Sequence, residues 1–195
     1  MPMRYPKRLF DIIGALVALA LFAIPIVIIY IFIRLEDHGP AIYCQERIGY
    51  KGRPFMLYKF RSMSENAEDD GNPRLCESDD DRLTRTGRFI RSHHLDEFPQ
   101  LWNILRGDMS FVGPRPERKF FIDKIVERDP RYTKLYALRP GIFSMATLKN
   151  GYTDTIDKML CRMEMDLDYL EHRSMATDLR IIGMTTWAIV SGKQF

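Results

Sequence analysis

Two adjacent carboxylates, Asp96 and Glu97, lie where an amphipathic helix is predicted to begin. The apolar residues after them recur at helical spacing, and Pro99 is tolerated only in the first turn of a helix. Because a helix N-terminus is electropositive and rich in free N–H groups, it holds a carboxylate ionised and binds phosphate. A divalent cation could bridge the two acids to a substrate diphosphate. The alternative is that Asp96 only caps the helix and Glu97 only complements its dipole.

A stiff turn follows this helix in the sequence Gly113-Pro114-Arg115-Pro116. The two prolines fix the backbone and remove two N–H donors, so the turn presents Arg115 from a rigid loop. The planar fork of a guanidinium can bind two phosphate oxygens at once, a fixed geometry that an ammonium does not offer. A phosphate site is one interpretation, and an ordinary turn with a solvated arginine is the other.

Further cations precede the acidic pair. Lys59 and Arg61 alternate with apolar neighbours in a predicted strand, so they point to the same side of it. Two cations on one face suit an anionic ligand, although a solvated strand face explains the pattern equally well. Arg88 and Arg91 lie in a short segment with helical spacing just before the acidic pair, where they could bind phosphate.

The N-terminal part of the chain contains an apolar run from Ile12 to Ile33. Its length of about 22 residues is enough to cross the roughly 30 Å hydrocarbon core of a bilayer. Pro25 lies inside the run and removes one backbone hydrogen bond. Division at Pro25 leaves arms of about 13 and about 9 residues, each too short to cross alone. We therefore expect a re-entrant helix-break-helix, with a kinked spanning helix as the alternative.

Charged residues flank both ends of the apolar run. Lys7 and Arg8 precede it and Arg34 follows it, so the positive-inside rule gives no strong direction and both ends can be cytoplasmic. Asp11 is an acid at the start of the run, and ionisable groups at such positions usually have a partner. Arg8 lies three residues earlier on the same helical face and is the expected partner.

The rest of the chain suits one domain. Two short strands joined by a Gly-rich turn predict a hairpin over 39–63, and amphipathic patterns predict helices over 116–128 and 174–190. The apolar stripe of either helix could pack against the domain or lie at a membrane interface. The fold class is therefore α+β, mainly α-helical with a short β-hairpin, a re-entrant membrane helix and amphipathic interfacial helices.

Charge and cysteine content exclude some functions. The formal net charge of +3 gives no support to nucleic-acid binding. Cys44, Cys76 and Cys161 are widely spaced and form no metal-binding motif. They indicate reduced cytosolic thiols and argue against structural zinc.

The stretch from Leu95 to Pro116 resembles the signature of the bacterial sugar transferases, the monotopic phosphoglycosyl transferases that start membrane glycoconjugates. In that family Leu-Asp-Glu, Pro-Gln-Leu, Asn-x-Leu-x-Gly-Asp-Met-Ser and Val-Gly-Pro-Arg-Pro recur in this order, and the chain matches every position. The Lys-Arg-x-Phe-Asp entry at 7–11, Tyr-Lys-Phe-Arg-Ser-Met at 58–63 and Arg-Pro-Gly-Ile at 139–142 match as well.

After Ile142 the chain departs from the common family pattern. Many relatives continue Thr-Gly-Trp-Ala-Gln-Val-Asn-Gly, whereas this chain reads Phe-Ser-Met-Ala-Thr-Leu-Lys-Asn-Gly from Phe143 to Gly151. Because the stretch around the acidic pair is intact, we interpret the departure as altered substrate preference and not as loss of activity.

The resemblance implies a membrane-bound phosphoglycosyl transferase. It would transfer a phosphosugar from a UDP-sugar to polyprenol (undecaprenyl) phosphate and release UMP. Asp96 would attack the β-phosphorus to form an aspartyl-phosphosugar, and Asp96 and Glu97 would hold Mg²⁺. The cations expected to bind substrate are Lys59, Arg61, Arg88, Arg91, Arg115 and Arg139.

The implied location is the bacterial inner membrane. Residues 1–35 would form the re-entrant anchor and residues 36–195 a cytoplasmic catalytic domain that contacts membrane lipid. The reaction would be the first membrane step of capsule, O-antigen, exopolysaccharide or glycoprotein glycan synthesis. Downstream glycosyltransferases and a second copy of the chain are further candidate partners, and the sequence does not reveal the sugar.

Two alternatives remain beside this interpretation. In the first, the chain is a non-catalytic membrane-tethered module that binds phosphate or lipid. In the second, the chain is an enzyme in which Asp96 is only a metal ligand and polyprenol phosphate attacks the donor directly.

Overall fold

A computed structural model describes residues 4–64, 67, 80–151, 153 and 155–191. This part of the chain is mainly helical, with two small two-stranded sheets. Its helices are α1 (Arg4–Asp37), α2 (Arg85–Ser92), α3 (Gln100–Arg106), α4 (Lys119–Arg128), α5 (Met145–Asn150), α6 (Ile156–His172) and α7 (Met175–Val190). Its strands are β1 (Ile42–Ile48), β2 (Pro54–Phe60), β3 (Ser110–Val112) and β4 (Gly141–Phe143). Three 3-10 helices cover Tyr50–Gly52, Leu95–Glu97 and Pro130–Ala137.

The apolar N-terminal run forms one helix, α1, of 34 residues with Pro25 inside it. By length and composition α1 is able to cross a membrane. The expected division into two helices at Pro25 is not confirmed, because one missing N–H donor removes a single hydrogen bond while the other residues of the helix keep theirs.

Both halves of α1 pack against the rest of the chain. Ala15, in the first half, belongs to a buried cluster with Leu57 and Leu101. Ile29 and Ile33, in the second half, belong to another cluster that includes Phe60. The helix therefore lies against the domain along much of its length.

The charged start of α1 is held by the segment around β3. Asp11 is buried and accepts hydrogen bonds from the Ser110 hydroxyl (3.0 Å) and the Phe111 backbone N–H (3.2 Å). Arg8, the expected partner of Asp11, donates instead to the Ile104 and Leu105 carbonyls in the last turn of α3. The last-turn carbonyls of a helix lie at the negative end of its dipole, so they attract a guanidinium.

The predicted hairpin is confirmed. β1 and β2 pair antiparallel, with Ile42 opposite Phe60 and Ile48 opposite Pro54. The amphipathic pattern over 116–128 is also a helix, α4, and its buried residues face α6 in a cluster that includes Phe121 and Met163. The apolar stripe of α4 therefore forms part of the core.

Strands β3 and β4 pair in parallel and bring two glycines together. A Cβ atom on Gly113 would lie 2.3 Å from the Arg139 carbonyl oxygen, and one on Gly141 would lie 2.1 Å from the Gly113 nitrogen. Only glycine allows this approach, which places the loop of Arg115 beside the turn at Arg139-Pro140.

Helix α7 exposes most of its apolar stripe. Its buried side contains Asp178 and Ile181, whereas Leu179, Trp187 and Val190 are exposed, Trp187 to 73%. Asp178 forms an ion pair with Lys7, which ties the start of α7 to the start of α1.

The cysteines are not paired where the structure describes them. Cys44 and Cys161 are free and exposed, and Cys76 lies outside the described residues. Within the described ranges, no group of three or more His, Cys, Asp or Glu residues is arranged to hold a metal ion.

Candidate active site

A cavity of about 720 Å³ contains the acidic pair. Asp96 and Glu97 line it together with Lys59 and Arg115, and α1 contributes Phe22 to its wall. The cavity therefore has a charged centre and an apolar wall to which α1 contributes.

The acidic pair lies in the 3-10 turn just before α3, as the sequence predicts. Pro99 follows this turn and is the N-cap residue of α3. His94 precedes the turn with a left-handed backbone (φ 55°), which reverses the chain direction after α2. Asp96 is buried, with 6% of its surface exposed.

One lysine contacts both acids. Lys59 Nζ donates to Glu97 Oε1 at 2.7 Å and lies 3.6 Å from Asp96 Oδ2. Arg115 reaches Glu97 from the Pro-Arg-Pro turn, with Nη1 and Nη2 each 3.4 Å from Oε1. Glu97 thus positions two of the predicted phosphate-binding cations.

The pKa values of the two acids shift in opposite directions. Burial raises the pKa of Asp96, the Glu97 charge adds to this rise, and the Lys59 ammonium opposes it. Burial also favours protonation of Glu97, but Lys59 and Arg115 outweigh it and lower the Glu97 pKa to about 2. Glu97 is therefore a fixed anion, and Asp96 is the more basic carboxylate of the pair.

Arg61 lines the same cavity and is incompletely satisfied. It is 6% exposed and pairs with Asp37 through Nη2, while its Nε and Nη1 atoms are buried with no hydrogen-bond partner among the described residues. A buried donor without an acceptor costs about 1–3 kcal/mol. Nε and Nη1 could therefore donate to an acceptor such as a phosphate oxygen.

The remaining predicted cations divide between two environments. Arg91 lines the cavity. Arg88 is exposed on α2 and does not line it. Arg139 also lies outside the cavity lining, since its Nε donates to the Gly107 carbonyl at 2.7 Å and its guanidinium lies 5.2 Å from the Tyr50 ring centroid. Substrate binding by Arg88 and Arg139 stays a prediction.

The sequence analysis did not identify a second polar group in the cavity. Arg47, Glu117 and Arg162 line it, and Glu117 forms ion pairs with both arginines. Asp166 lies one helical turn after Arg162; burial, with a smaller contribution from the Glu117 charge, raises its pKa to about 7 despite Arg162. The sequence did contain a sign of this group. Arg162 and Asp166 interrupt the apolar stripe of α6, which is formed by Met159, Met163 and Leu167.

The acidic pair fits a magnesium ion. The contacts of Lys59 and Arg115 involve Asp96 Oδ2 and Glu97 Oε1, which leaves Asp96 Oδ1 and Glu97 Oε2 for another ligand. Mg²⁺ is usually bound by one or two carboxylates together with substrate phosphate and water. Two acids in a cavity that cations also line match that donor set.

Comparison with known proteins agrees with this geometry. A family model described as bacterial sugar transferase matches residues 3–192. The chain is 38% identical over 186 residues to a UDP-N-acetylgalactosamine-undecaprenyl-phosphate N-acetylgalactosaminephosphotransferase of Aeromonas hydrophila, which covers 95% of this chain and 44% of that protein. It is 38% identical over 187 residues to a UDP-glucose:undecaprenyl-phosphate glucose-1-phosphate transferase of Caulobacter vibrioides. This match covers 95% of this chain and 70% of that protein.

A third relative matches more strongly over a shorter length. It is a putative undecaprenyl-phosphate N-acetylgalactosaminyl 1-phosphate transferase of Bacillus subtilis, 50% identical over 129 residues, or 66% of this chain and 71% of that protein. This chain thus spans less than half of the Aeromonas relative and about 70% of the other two. Since the family model covers almost all of its residues, the chain belongs to the bacterial sugar transferase family.

Proposed function

We propose that the chain is a phosphoglycosyl transferase that moves a phosphosugar from a UDP-sugar to polyprenol (undecaprenyl) phosphate and so starts glycoconjugate synthesis. The observation that carries the proposal is the pair Asp96 and Glu97, held beside Lys59 and Arg115 in one cavity with the membrane helix α1 in its wall. The names of the relatives describe the same class of reaction.

The reaction proceeds in two displacements. A carboxylate oxygen of Asp96 forms a bond to the β-phosphorus of the donor, and the bond from that phosphorus to the bridging oxygen breaks. UMP leaves with the bonding electrons, and an aspartyl-phosphosugar remains. A phosphate oxygen of the acceptor then attacks the same phosphorus and frees Asp96. One phosphoanhydride replaces another, so no external energy source is needed.

The cations of the cavity match the charge of the substrates. Lys59 and Arg115 surround the acids, and Arg61 offers the buried Nε and Nη1 donors. Phosphoryl transfer depends largely on such positioned charges, because the transition state spreads negative charge over the phosphate oxygens. A bound Mg²⁺ at Asp96 and Glu97 would add positive charge against the diphosphate.

The contacts of α1 support a re-entrant topology. Arg8 and Asp11, at the start of α1, bond to α3 and β3, and at its end Glu36 accepts hydrogen bonds from the backbone N–H groups of Arg85 (2.7 Å) and Thr86 (3.0 Å). A helix that crosses a bilayer has its ends on opposite faces of a core about 30 Å thick. Because one domain holds both ends, we place both on the cytoplasmic side, with the bend at Pro25.

Cysteine labelling tests this topology. In a background without the three native cysteines, Met3→Cys should resist an impermeant thiol reagent in intact cells and react after lysis. Lys119→Cys, on the exposed start of α4, is the matched control for the cytoplasmic side. Labelling of Met3→Cys in sealed cells, with Lys119→Cys protected, would establish a spanning helix.

The exposed stripe of α7 supports an interfacial position for this helix. Trp187, Leu179 and Val190 share the uncovered side, and the ion pair of Asp178 with Lys7 joins α7 to the start of the membrane helix. Apolar faces of this kind bind at the boundary of headgroups and acyl chains.

In a Trp102→Phe background, brominated lipids should quench Trp187 fluorescence. Unchanged fluorescence would remove α7 from the interface.

Release of UMP tests the function itself. Purified protein, given polyprenol phosphate and each member of a panel of UDP-sugars, should release UMP and form a polyprenyl diphosphate-sugar with at least one donor. If no donor yields UMP, the chain is better described as the non-catalytic tethered module.

A further inference from the structure

The cavity has a second polar lining that the proposed chemistry does not use. It consists of carboxylate, guanidinium and hydroxyl groups from the loop after Arg115, from α5 and from α6. Three of its residues are almost fully buried: Glu117 is 6% exposed, Ser144 5% and Arg162 7%. The lining residues of this set are Glu117, Ser144, Thr147, Thr153 and Arg162.

Hydrogen bonds organise this second lining but do not satisfy all of it. Arg162 pairs with Glu117 through Nη2 and donates to the Thr153 hydroxyl through Nη1 at 2.8 Å. Arg47 reaches the other oxygen of Glu117 at 3.4 Å, and its Nε is buried with no partner in the part of the chain that the structure describes. A buried donor of this kind is stabilised when a bound molecule supplies an acceptor.

The second lining is adjacent to the phosphate-binding cations. Glu117 lies two residues after Arg115 in the same stiff loop, and both side chains face the same cavity. A group attached directly to a diphosphate held by Arg115 would therefore reach Glu117. Ser144 and Thr147 belong to the segment after Ile142 in which this chain departs from the family pattern.

We propose that the second polar lining binds the hydroxyl groups of a ring attached to the donor diphosphate, and that the Thr147 hydroxyl takes part in donor binding. Hydroxyl groups both donate and accept, which suits a lining made of a carboxylate, guanidinium groups and hydroxyls. A site built to bond a hydroxyl discriminates against donors that lack it. This inference rests on the proposed function, and the ring is either the sugar or the ribose of the UDP-sugar.

The fold supplies a matched control for Thr147. At the start of α5, the Thr147 N–H donates to Ser144 Oγ and the two hydroxyls lie 2.9 Å apart. At the start of α7, Thr177 and Ser174 repeat this arrangement, with the hydroxyls 2.8 Å apart. Only the first pair lines the cavity. Thr147→Val and Thr177→Val therefore keep the backbone capping bond and remove the same hydroxyl–hydroxyl contact, one inside the cavity and one outside.

The experiment measures kcat/KM for a panel of UDP-sugars. It also measures inhibition by UMP, which contains the ribose but lacks the sugar that is transferred. If the sugar is bound, Thr147→Val should change the ratio of kcat/KM between two donors that differ at one hydroxyl about 3- to 10-fold, with UMP inhibition unchanged. If the ribose is bound, all donors and UMP should weaken together by a similar factor. Thr147→Ser should stay near wild type, as should Thr177→Val.

Two results would overturn the inference, and they are distinguishable. If Thr147→Val behaves like Thr177→Val with every donor and with UMP, the second lining is structural only. If the unaltered protein releases no UMP from any donor, the proposed function fails and the inference fails with it.

Discussion

Asp96 and Asp166 are both buried carboxyls with a cation nearby, yet they lie in different surroundings. Burial raises the pKa of each. Asp96 faces the cavity, 3.6 Å from Lys59 and next to a second acid. Asp166 lies on the buried side of α6, close to Arg162 and Glu117, and does not line the cavity. Burial thus perturbs both groups, but only Asp96 faces a cavity that a substrate could enter.

The largest expected difference between these two acids is in catalysis. Asp96→Asn should lower UMP release more than about 10³-fold, because the amide is nearly isosteric but not nucleophilic. Asp166→Asn should keep a rate close to that of the unaltered protein. Appreciable activity of Asp96→Asn, after deamidation back to aspartate has been excluded by mass spectrometry, would remove the nucleophile from this position.

Removal of divalent cations should have the next largest effect. Excess chelator should reduce the rate about 100-fold or more, since a metal ion at a diphosphate contributes several kcal/mol of charge stabilisation. Added Mg²⁺ should restore the rate in the same sample. Full activity in chelator would show that Asp96 and Glu97 act without a metal ion.

Arg115→Lys should lower kcat/KM about 10- to 100-fold although the charge is kept. An ammonium cannot bind two phosphate oxygens from a rigid turn as a guanidinium does. Arg106→Lys is a suitable control, because Arg106 is exposed and lies outside the cavity lining. Equal kcat/KM values for the two variants would show that Arg115 does not bind phosphate through two donors and is an ordinary residue of its turn.

The smallest expected effect is on stability, and it concerns Asp166. The folded-state pKa of Asp166, about 7, exceeds its ordinary value of 3.8. Folding therefore favours its protonated form, and this stabilisation is complete below about pH 4 and is lost as the pH rises toward 7. Asp166→Asn does not ionise, so its free energy of unfolding should exceed that of the unaltered protein by a few kcal/mol at pH 8. Urea unfolding at pH 5 and pH 8 checks this, and an advantage that does not grow with pH would contradict it.

The sequence predicted the position of a residue best where neighbouring residues limit the backbone conformation. Asp96 and Glu97 precede a proline at a helix start, and Arg115 lies between two prolines, so the possible conformations are few. The alternation around Lys59 likewise specified which face of the strand carries the cation. These three segments meet in the cavity as expected.

The rest depended on distant packing. Strands β3 and β4 have three residues each, and their pairing rests on a close approach of Gly113 to Gly141 that no local pattern reveals. Helices α4 and α7 have similar apolar stripes, but the stripe of α4 is buried in the core, whereas Leu179, Trp187 and Val190 of α7 are exposed. The bond from Arg139 Nε to the Gly107 carbonyl is likewise a long-range contact that no local pattern reveals.

The most direct measurement of the central claim is UMP release from the donor without any acceptor. We expect a burst of one UMP per active enzyme, with the labelled phosphosugar covalently attached at Asp96, and further turnover only after polyprenol phosphate is added. If no UMP appears until the acceptor is present and no label stays on the protein, the acceptor attacks the donor directly and Asp96 is not the nucleophile.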